Sequence, residues 1–204
     1  MIAPIVFGVF LVTATQTPAT PNPNYMQLAR YIAGTAMVDT AEVGGFGTSD
    51  NLPGPIRDRK FLGNGLTITI NRKGEALSLT IANGGQQIEW LRAGDSNILG
   101  FLEAKDRGGN WRPIEYQPWY TCGNSYHRVG VTPGHGWAFE IPLPTGGFKT
   151  QVRWRYRSQG VEHTSNALAT TIPATRFELA PEIKAANKIK FDGDFPFLVP
   201  TSFP

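Results

Sequence analysis

In Leu66-Thr67-Ile68-Thr69-Ile70 aliphatic and hydroxyl side chains alternate without a break, and Ala76 to Ile81 repeats the pattern through Leu77, Leu79 and Ile81. Successive side chains of an extended chain point to opposite faces, so this alternation predicts two half-buried strands. Arg72-Lys73-Gly74-Glu75 between them has the composition of a turn, and Asn83-Gly84-Gly85 supplies the next one. Working outward from this hairpin, strands are predicted at Gln87–Leu91, Ile98–Ala104, Trp111–Tyr116, Tyr126–Val131, Trp137–Ile141, Phe148–Tyr156 and Asn166–Thr171. Asp106-Arg107-Gly108-Gly109, Thr132-Pro133-Gly134 and Pro144-Thr145-Gly146-Gly147 read as turns between them. About eight or nine short strands at spacings of roughly 8–12 residues indicate an all-β fold, an antiparallel β-sandwich. Helical periodicity is nearly absent, which excludes α/β architectures.

Composition agrees with many turns around an aromatic core. The 204 residues include 23 glycines, 16 prolines, 5 tryptophans, 6 tyrosines and 12 phenylalanines. Gly and Pro together make about a fifth of the chain, below the roughly 25–30% of low-complexity disorder. Charged residues are only 17%, against about 25% in a typical soluble domain, which argues against a solvated coil. The formal charge of +3 is far from the concentrated positive charge of nucleic-acid modules, so no nucleic-acid partner is expected.

The apolar, uncharged run from Ile2 to Val12 is shorter than the roughly 20 residues of a membrane-spanning helix. Followed by the small residues of Val12-Thr13-Ala14, it is expected to be a secretory signal over residues 1–14, placing the protein in the periplasm or outside the cell with no transmembrane segment. Residues 15–64 form a Pro/Gly-rich segment. Its polar stretch Thr15–Asn24 reads as an extended spacer, and Tyr25–Ala33 as one short helix capped by Asn24, with Leu28, Tyr31 and Ile32 on one side. The β-sandwich is assigned to residues 65–180. The tail, 181–204, starts with one helical turn at Glu182–Asn187. Its Phe191, Phe195, Phe197 and Phe203 are too costly to leave in water, so it is expected to pack along the sandwich. Cys122 is the single cysteine, which rules out an intramolecular disulfide.

Three constellations bear on function. Cys122-Gly123-Asn124-Ser125-Tyr126 lies between two strands, with His127 directly after it. A nucleophilic Cys122 with a histidine base is one reading. The other is structural: Gly123 permits an unusual backbone angle, Asn124 and Ser125 bond local amides, and Tyr126 fills the core. The structural reading is preferred, because no Gly-rich oxyanion segment is recognisable. In Phe148–Arg157, Val152, Trp154 and Tyr156 face one way and Arg153, Arg155 and Arg157 the other. The arginines either pair with Glu103 or Glu115 on neighbouring strands, which is preferred, or grip sulfate, phosphate or carboxylate polymers. Among Trp90, Trp111, Trp119, Trp137 and Trp154, the last alternates with core residues. Trp119, in Pro118-Trp119-Tyr120 beside a turn, is the candidate for an exposed sugar platform. His127, His135 and His163 lack metal-binding spacing, and Asp106-x-Gly108-x-Asn110 and Asp192-Gly193-Asp194 read as ordinary turns rather than calcium loops. No metal, cofactor or catalytic residue is expected.

Glu103-Ala-Lys-Asp106, Gly109-Asn-Trp111-Arg-Pro-Ile-Glu115, the Cys122–Tyr126 pentad, Phe148-Lys-Thr150 with Arg153, and Ser165-Asn166 together resemble an uncharacterised group of exported bacterial proteins that carry the Cys-Gly-Asn-Ser-Tyr motif. The resemblance lies within Phe101–Ile172, about a third of the chain, and its firmest element is the Cys122–Tyr126 pentad. It implies an immunoglobulin-like β-sandwich and brings no catalytic residues with it. The expected function is therefore a non-catalytic binding or structural module of the bacterial cell envelope. It would meet an unidentified protein or an envelope polysaccharide at the loops Asp106–Asn110, Gln117–Ser125 and Thr132–Gly136. Two alternatives stand beside it. One is a module binding anionic glycan through Arg153, Arg155, Arg157, Trp119 and Tyr120; the other is a cysteine-dependent hydrolase.

Overall fold

The computed structural model describes residues 22–34, 50–57, 63–120, 123–158, 160–192 and 195–202. In chain order its strands are β1 (Gln27–Leu28), β2 (Gly54–Pro55), β3 (Leu66–Lys73), β4 (Ala76–Asn83), β5 (Glu89–Gly94), β6 (Asn97–Ile98), β7 (Gly100–Lys105) and β8 (Trp111–Pro113). They continue as β9 (Glu115–Pro118), β10 (Tyr126–Val131), β11 (His135–Pro142), β12 (Phe148–Ser158), β13 (Val161–Thr164), β14 (Leu168–Ile172), β15 (Asn187–Asp192) and β16 (Phe195–Pro200). Among the described residues the one α-helix, α1 (Pro181–Lys184), is a single turn. With 56% strand, the structure is mostly β, built from several small sheets.

The β3–β4 hairpin forms as the alternation predicts, with Ile68 opposite Ile81 and Ile70 opposite Leu79. Gly74 closes the turn at φ +59, a backbone angle that glycine adopts without strain. This hairpin continues through β11 to β2 in one antiparallel sheet. In the second sheet the long strand β12 pairs with β7 along one edge and with β13 and β14 along the other, and β8 extends it beyond β7. A third sheet has the order β10-β5-β6. The fourth joins distant parts of the chain: β9 takes β1 and β16 as parallel neighbours, and β16 turns back on β15.

Val152, Trp154 and Tyr156 of β12 are buried, as their alternation predicts. Trp154 stacks on Tyr156 at 6.1 Å between ring centroids and meets the edge of Tyr31 at 5.5 Å. Tyr31 also meets Phe139 of β11, so one ring ties the segment before β2 to two sheets. The opposite face of the β12–β7 pair is covered as well. Gly100 through Ala104 are all buried, and Phe101 packs against Phe195 of β16 at 6.5 Å. The described part of the tail is a β-hairpin that leaves Phe191 57% exposed and buries Phe195 and Phe197.

Three sequence expectations need correction. Tyr25–Ala33 is not helical. Its buried residues are Met26, Ala29, Tyr31 and Ala33, the last three at a period of two, and its amides bond outward: Ala29 N to Tyr116 O at 2.8 Å and Ala33 N to Ser96 O at 2.8 Å. The apparent helical face through Leu28, Tyr31 and Ile32 loses because small alanines, easily read as neutral, fill the core beside Tyr31. Ile98–Ala104 is not one strand: β6 pairs with β5, β7 pairs with β12, and the chain changes sheet at Leu99. Trp111–Tyr116 likewise divides at Ile114, β8 serving β7 and β9 serving β1 and β16.

Gly100 is required by packing, since a Cβ there would land inside the Trp154 indole. Gly100→Ala is expected to destabilise the protein by about 1–3 kcal/mol, the usual cost of overpacking a core. Gly147→Ala, with open space around its Cβ, should leave the denaturant midpoint unchanged and serves as the control.

Candidate functional site

A cleft of about 750 Å3 opens where β5, the end of β9, β10 and the tail hairpin meet. Its polar and aromatic lining is Arg92, Trp119, Tyr120, Tyr126, Arg157 and Asp192, with Phe195 and Phe197 behind. The volume lies in the usual range for a small-molecule or saccharide site.

Strand alternation places Arg92, and partners from other parts of the chain place the aromatic side chains. Arg92 points out of β5 between buried Leu91 and Ala93, the ordinary consequence of alternation. Tyr120 lies against Gly94, where a Cβ would collide with its ring, and Asn97 Nδ2 donates to its hydroxyl at 3.5 Å. Burial is the main cause that pushes the Tyr120 phenol up to about 12, so it stays protonated and can donate to a ligand. Tyr126 meets the Tyr120 ring edge-on at 5.5 Å. Its own phenol is raised, chiefly by burial and then by Asp192, while Arg92 opposes the shift. Trp119 stands edge-on to Phe197 at 5.5 Å, and the Lys190 ammonium lies 5.8 Å from its ring.

The remaining predicted residues are found elsewhere, or in other roles. Tyr126 is half-buried, packed against the core on one side and lining the cleft on the other. Trp119 is half-buried too, packed on one edge instead of standing as an exposed platform. Cys122 lies outside the described residues. The turn Gly123–Ser125 leads into β10, and His127 is buried, its Nδ1 3.0 Å from the Ser125 carbonyl oxygen and its Nε2 3.5 Å from Ser96 Oγ. Asp106 closes its own loop by accepting from Gly108 N at 2.9 Å and Asn110 N at 3.0 Å. Gly193 and Asp194 lie outside the described residues. Among the described residues, no group of three His, Cys, Asp or Glu is placed to hold a metal ion, and no helix is long and apolar enough to cross a membrane.

The arginine row is divided by its neighbours. Arg153 donates through Nε to the buried Glu103 at 2.6 Å, and its guanidinium lies 4.3 Å over Trp111. Arg155 pairs with Glu162 at 2.7 Å and reaches Glu103 at 3.8 Å. These two arginines are thus engaged in pairs that keep Glu103 compensated beneath the tail, and only Arg157 of the row reaches the cleft. Glu115 is not one of their partners. It lies in a second, buried polar centre, where Oε2 accepts from Tyr31 Oη at 2.5 Å and from Leu102 N at 2.8 Å. Arg176 is fully buried close by. Burial raises the Glu115 carboxyl, with the Tyr31 and Leu102 bonds and Arg176 opposing, and burial likewise lowers Arg176.

Sequence reasoning missed Arg92, Asp192, Phe195 and Phe197 at the cleft. Arg92 carried a signal, a lone cation between aliphatic strand residues, but nothing local relates it to the tail. The chain matches no protein-family model and no curated protein.

The buried carboxyl has a testable linkage. In the unfolded chain Glu115 loses its proton near the ordinary value of 4.5, whereas the folded protein holds it to higher pH. Its contribution to stability is therefore complete below pH 4.5 and lost as pH rises through the folded value. Denaturant titrations between pH 4 and 8 should show wild type losing stability relative to Glu115→Gln as pH rises. A flat difference would contradict the assignment.

Proposed function

We propose that this protein is a non-catalytic, exported module of the bacterial cell envelope that binds acidic polysaccharide in the cleft between Trp119 and Arg157. The observation that carries this reading is the convergence of Trp119, Tyr120 and Tyr126 with two guanidinium groups, Arg92 and Arg157, on one volume of about 750 Å3. Aromatic rings offer apolar faces to the C–H faces of pyranose rings. Guanidinium groups match the two oxygens of a uronate carboxylate or sulfate. The protonated Tyr120 hydroxyl adds a donor, and Asp192 an acceptor for sugar hydroxyls.

An immunoglobulin-like β-sandwich is the frame we favour. Support comes from Tyr31, against which both the β11-containing sheet and the β12-containing sheet pack through Phe139 and Trp154. Export is supported by the apolar run Ile2–Val12 with the small residues after it.

Affinity electrophoresis in gels containing polyuronate or sulfated polysaccharide tests the reading. Retention should weaken with salt, as expected for guanidinium–anion contacts. Trp119→Ala and Arg157→Gln should each lower affinity by about tenfold, equivalent to ~1.4 kcal/mol, and Arg157→Gln should flatten the salt dependence. Absence of retention at low salt, or retention unchanged in Trp119→Ala, would overturn the proposal.

A further inference from the structure

Strand β15 (Asn187–Asp192) closes one end of the β1-β9-β16-β15 sheet, and among the described residues it pairs with β16 alone. Two prolines fix which of its backbone groups face outward. Pro196 lies opposite Phe191 and Pro200 opposite Asn187, and a proline has no N–H to exchange with a facing residue. The positions hydrogen-bonded to β16 are therefore the alternate ones, Lys188, Lys190 and Asp192. They are in phase with the bond from Thr201 N to Ala186 O at 2.9 Å. The N–H and C=O groups of Ile189 and Phe191 are thus directed to the open edge.

An open edge is a template for another strand, and proteins commonly blunt it with lysine or proline. β15 carries two lysines, but also Phe191, a large hydrophobic side chain left exposed. The stretch Lys188-Ile189-Lys190-Phe191-Asp192 is complementary to itself when reversed. Two copies aligned antiparallel about Lys190 set Lys188 of each against Asp192 of the other, and Ile189 of each against Phe191 of the other. Only Lys190 then meets its own copy, and its ammonium lies over the Trp119 ring, 5.8 Å from the centroid. The outward amides fall into the same register, so Ile189 and Phe191 of facing copies exchange both of their N–H···O bonds. A shift of two residues one way puts Lys188 opposite Lys190. The same shift the other way carries Ile189 past the end of the facing strand.

We propose that β15 is a homodimerisation edge, along which two copies of this chain pair antiparallel through Asn187–Asp192 and join their sheets into one. Opposite-charge and apolar pairs directly across two strands are the contacts that stabilise such a ladder. Asp192 lines the aromatic cleft, and residues facing each other across an antiparallel pair lie on one face of the sheet. The dimer therefore carries both clefts on the same side, whatever they bind.

Sedimentation velocity of the full chain, from low to high micromolar concentration and with no ligand present, tests this. The wild type should shift toward twice its monomer mass as concentration rises. Lys188→Asp and Asp192→Lys should each weaken dimerisation about tenfold, because two cross-strand ion pairs become like-charge contacts at once. The double exchange restores both pairs in reverse and should recover association. Phe191→Pro removes an outward N–H that β16 does not use, and should leave the protein monomeric. Should the proline disturb the hairpin, the charge exchange at two exposed positions still decides. A monomer at every concentration overturns the proposal and leaves the edge to a strand of another protein. A dimer that survives both single charge reversals, or a double exchange that fails to recover association, overturns it equally.

Discussion

Small sheets leave many ends, and in this protein the ends are joined by side-chain amides acting as pieces of strand. Asn97 is the central one. Its Oδ1 accepts from Tyr31 N, and its Nδ2 donates to Ala29 O at 3.0 Å and to Gln117 Oε1 at 2.9 Å. Gln117 passes the connection on, donating to Gly100 O at 2.6 Å and Ile98 O at 3.3 Å. Asn83 does the same between Gln87 O and Val131 O, and Asn166 bonds both the N–H and the C=O of Ile70 at 2.9 Å each. An amide carries the donor and acceptor set of a peptide unit, so it can satisfy strand edges that no strand reaches. Each such bond is worth only about 1 kcal/mol net, but an unsatisfied buried peptide group would cost about 1–3 kcal/mol. Removal of these amides would leave the sheets correctly formed but poorly joined.

That constraint also positions the cleft. Asn97 Nδ2 approaches the Tyr120 hydroxyl, Gly94 leaves room for the Tyr120 ring, and Tyr120 in turn braces Tyr126. The other wall comes from the tail, where Phe197 backs Trp119. The site is thus the meeting place of the amide-joined sheets with the β15–β16 hairpin, and neither part forms it alone. Buried charge follows a similar division. Glu103 is compensated by two arginines at the interface with the tail, whereas Glu115 and Arg176 face the interior on the other side of β7 and β9.

The alternating segments made β3, β4, β10, β11 and β12 legible in the sequence, because period two is a local property and each of these strands keeps one face in the core. Turn chemistry was equally local: Asn83 accepts from Gly85 N at 2.8 Å, and Asp106 caps its own loop. What could not be read was every feature set by a partner far away. Leu99 and Ile114 sit inside good strand patterns, yet the chain changes sheet at each. Ala29 and Ala33 carry no strong signal until Tyr31 is seen between two sheets. The cleft draws on β5, Trp119-Tyr120, β10, the end of β12, Gly160, Asp192 and β16, and no spacing rule links such positions. The row Arg153-Arg155-Arg157 was visible as a face, but its division between ion pairs and cleft depended on Glu103, Glu162 and the tail.

Strand β9 receives parallel neighbours from both directions of the chain, Gln27 opposite Glu115 and Phe197 opposite Gln117. Contacts of such sequence separation require long loops to close before any reward is gained, which slows folding in proportion to their share of the structure. Until both neighbours arrive, β9 presents two bare hydrogen-bonding edges, and Phe101 and Glu103 lack their cover. Nascent chains at this stage are open to mispairing with one another, which makes crowding during synthesis a hazard to this protein.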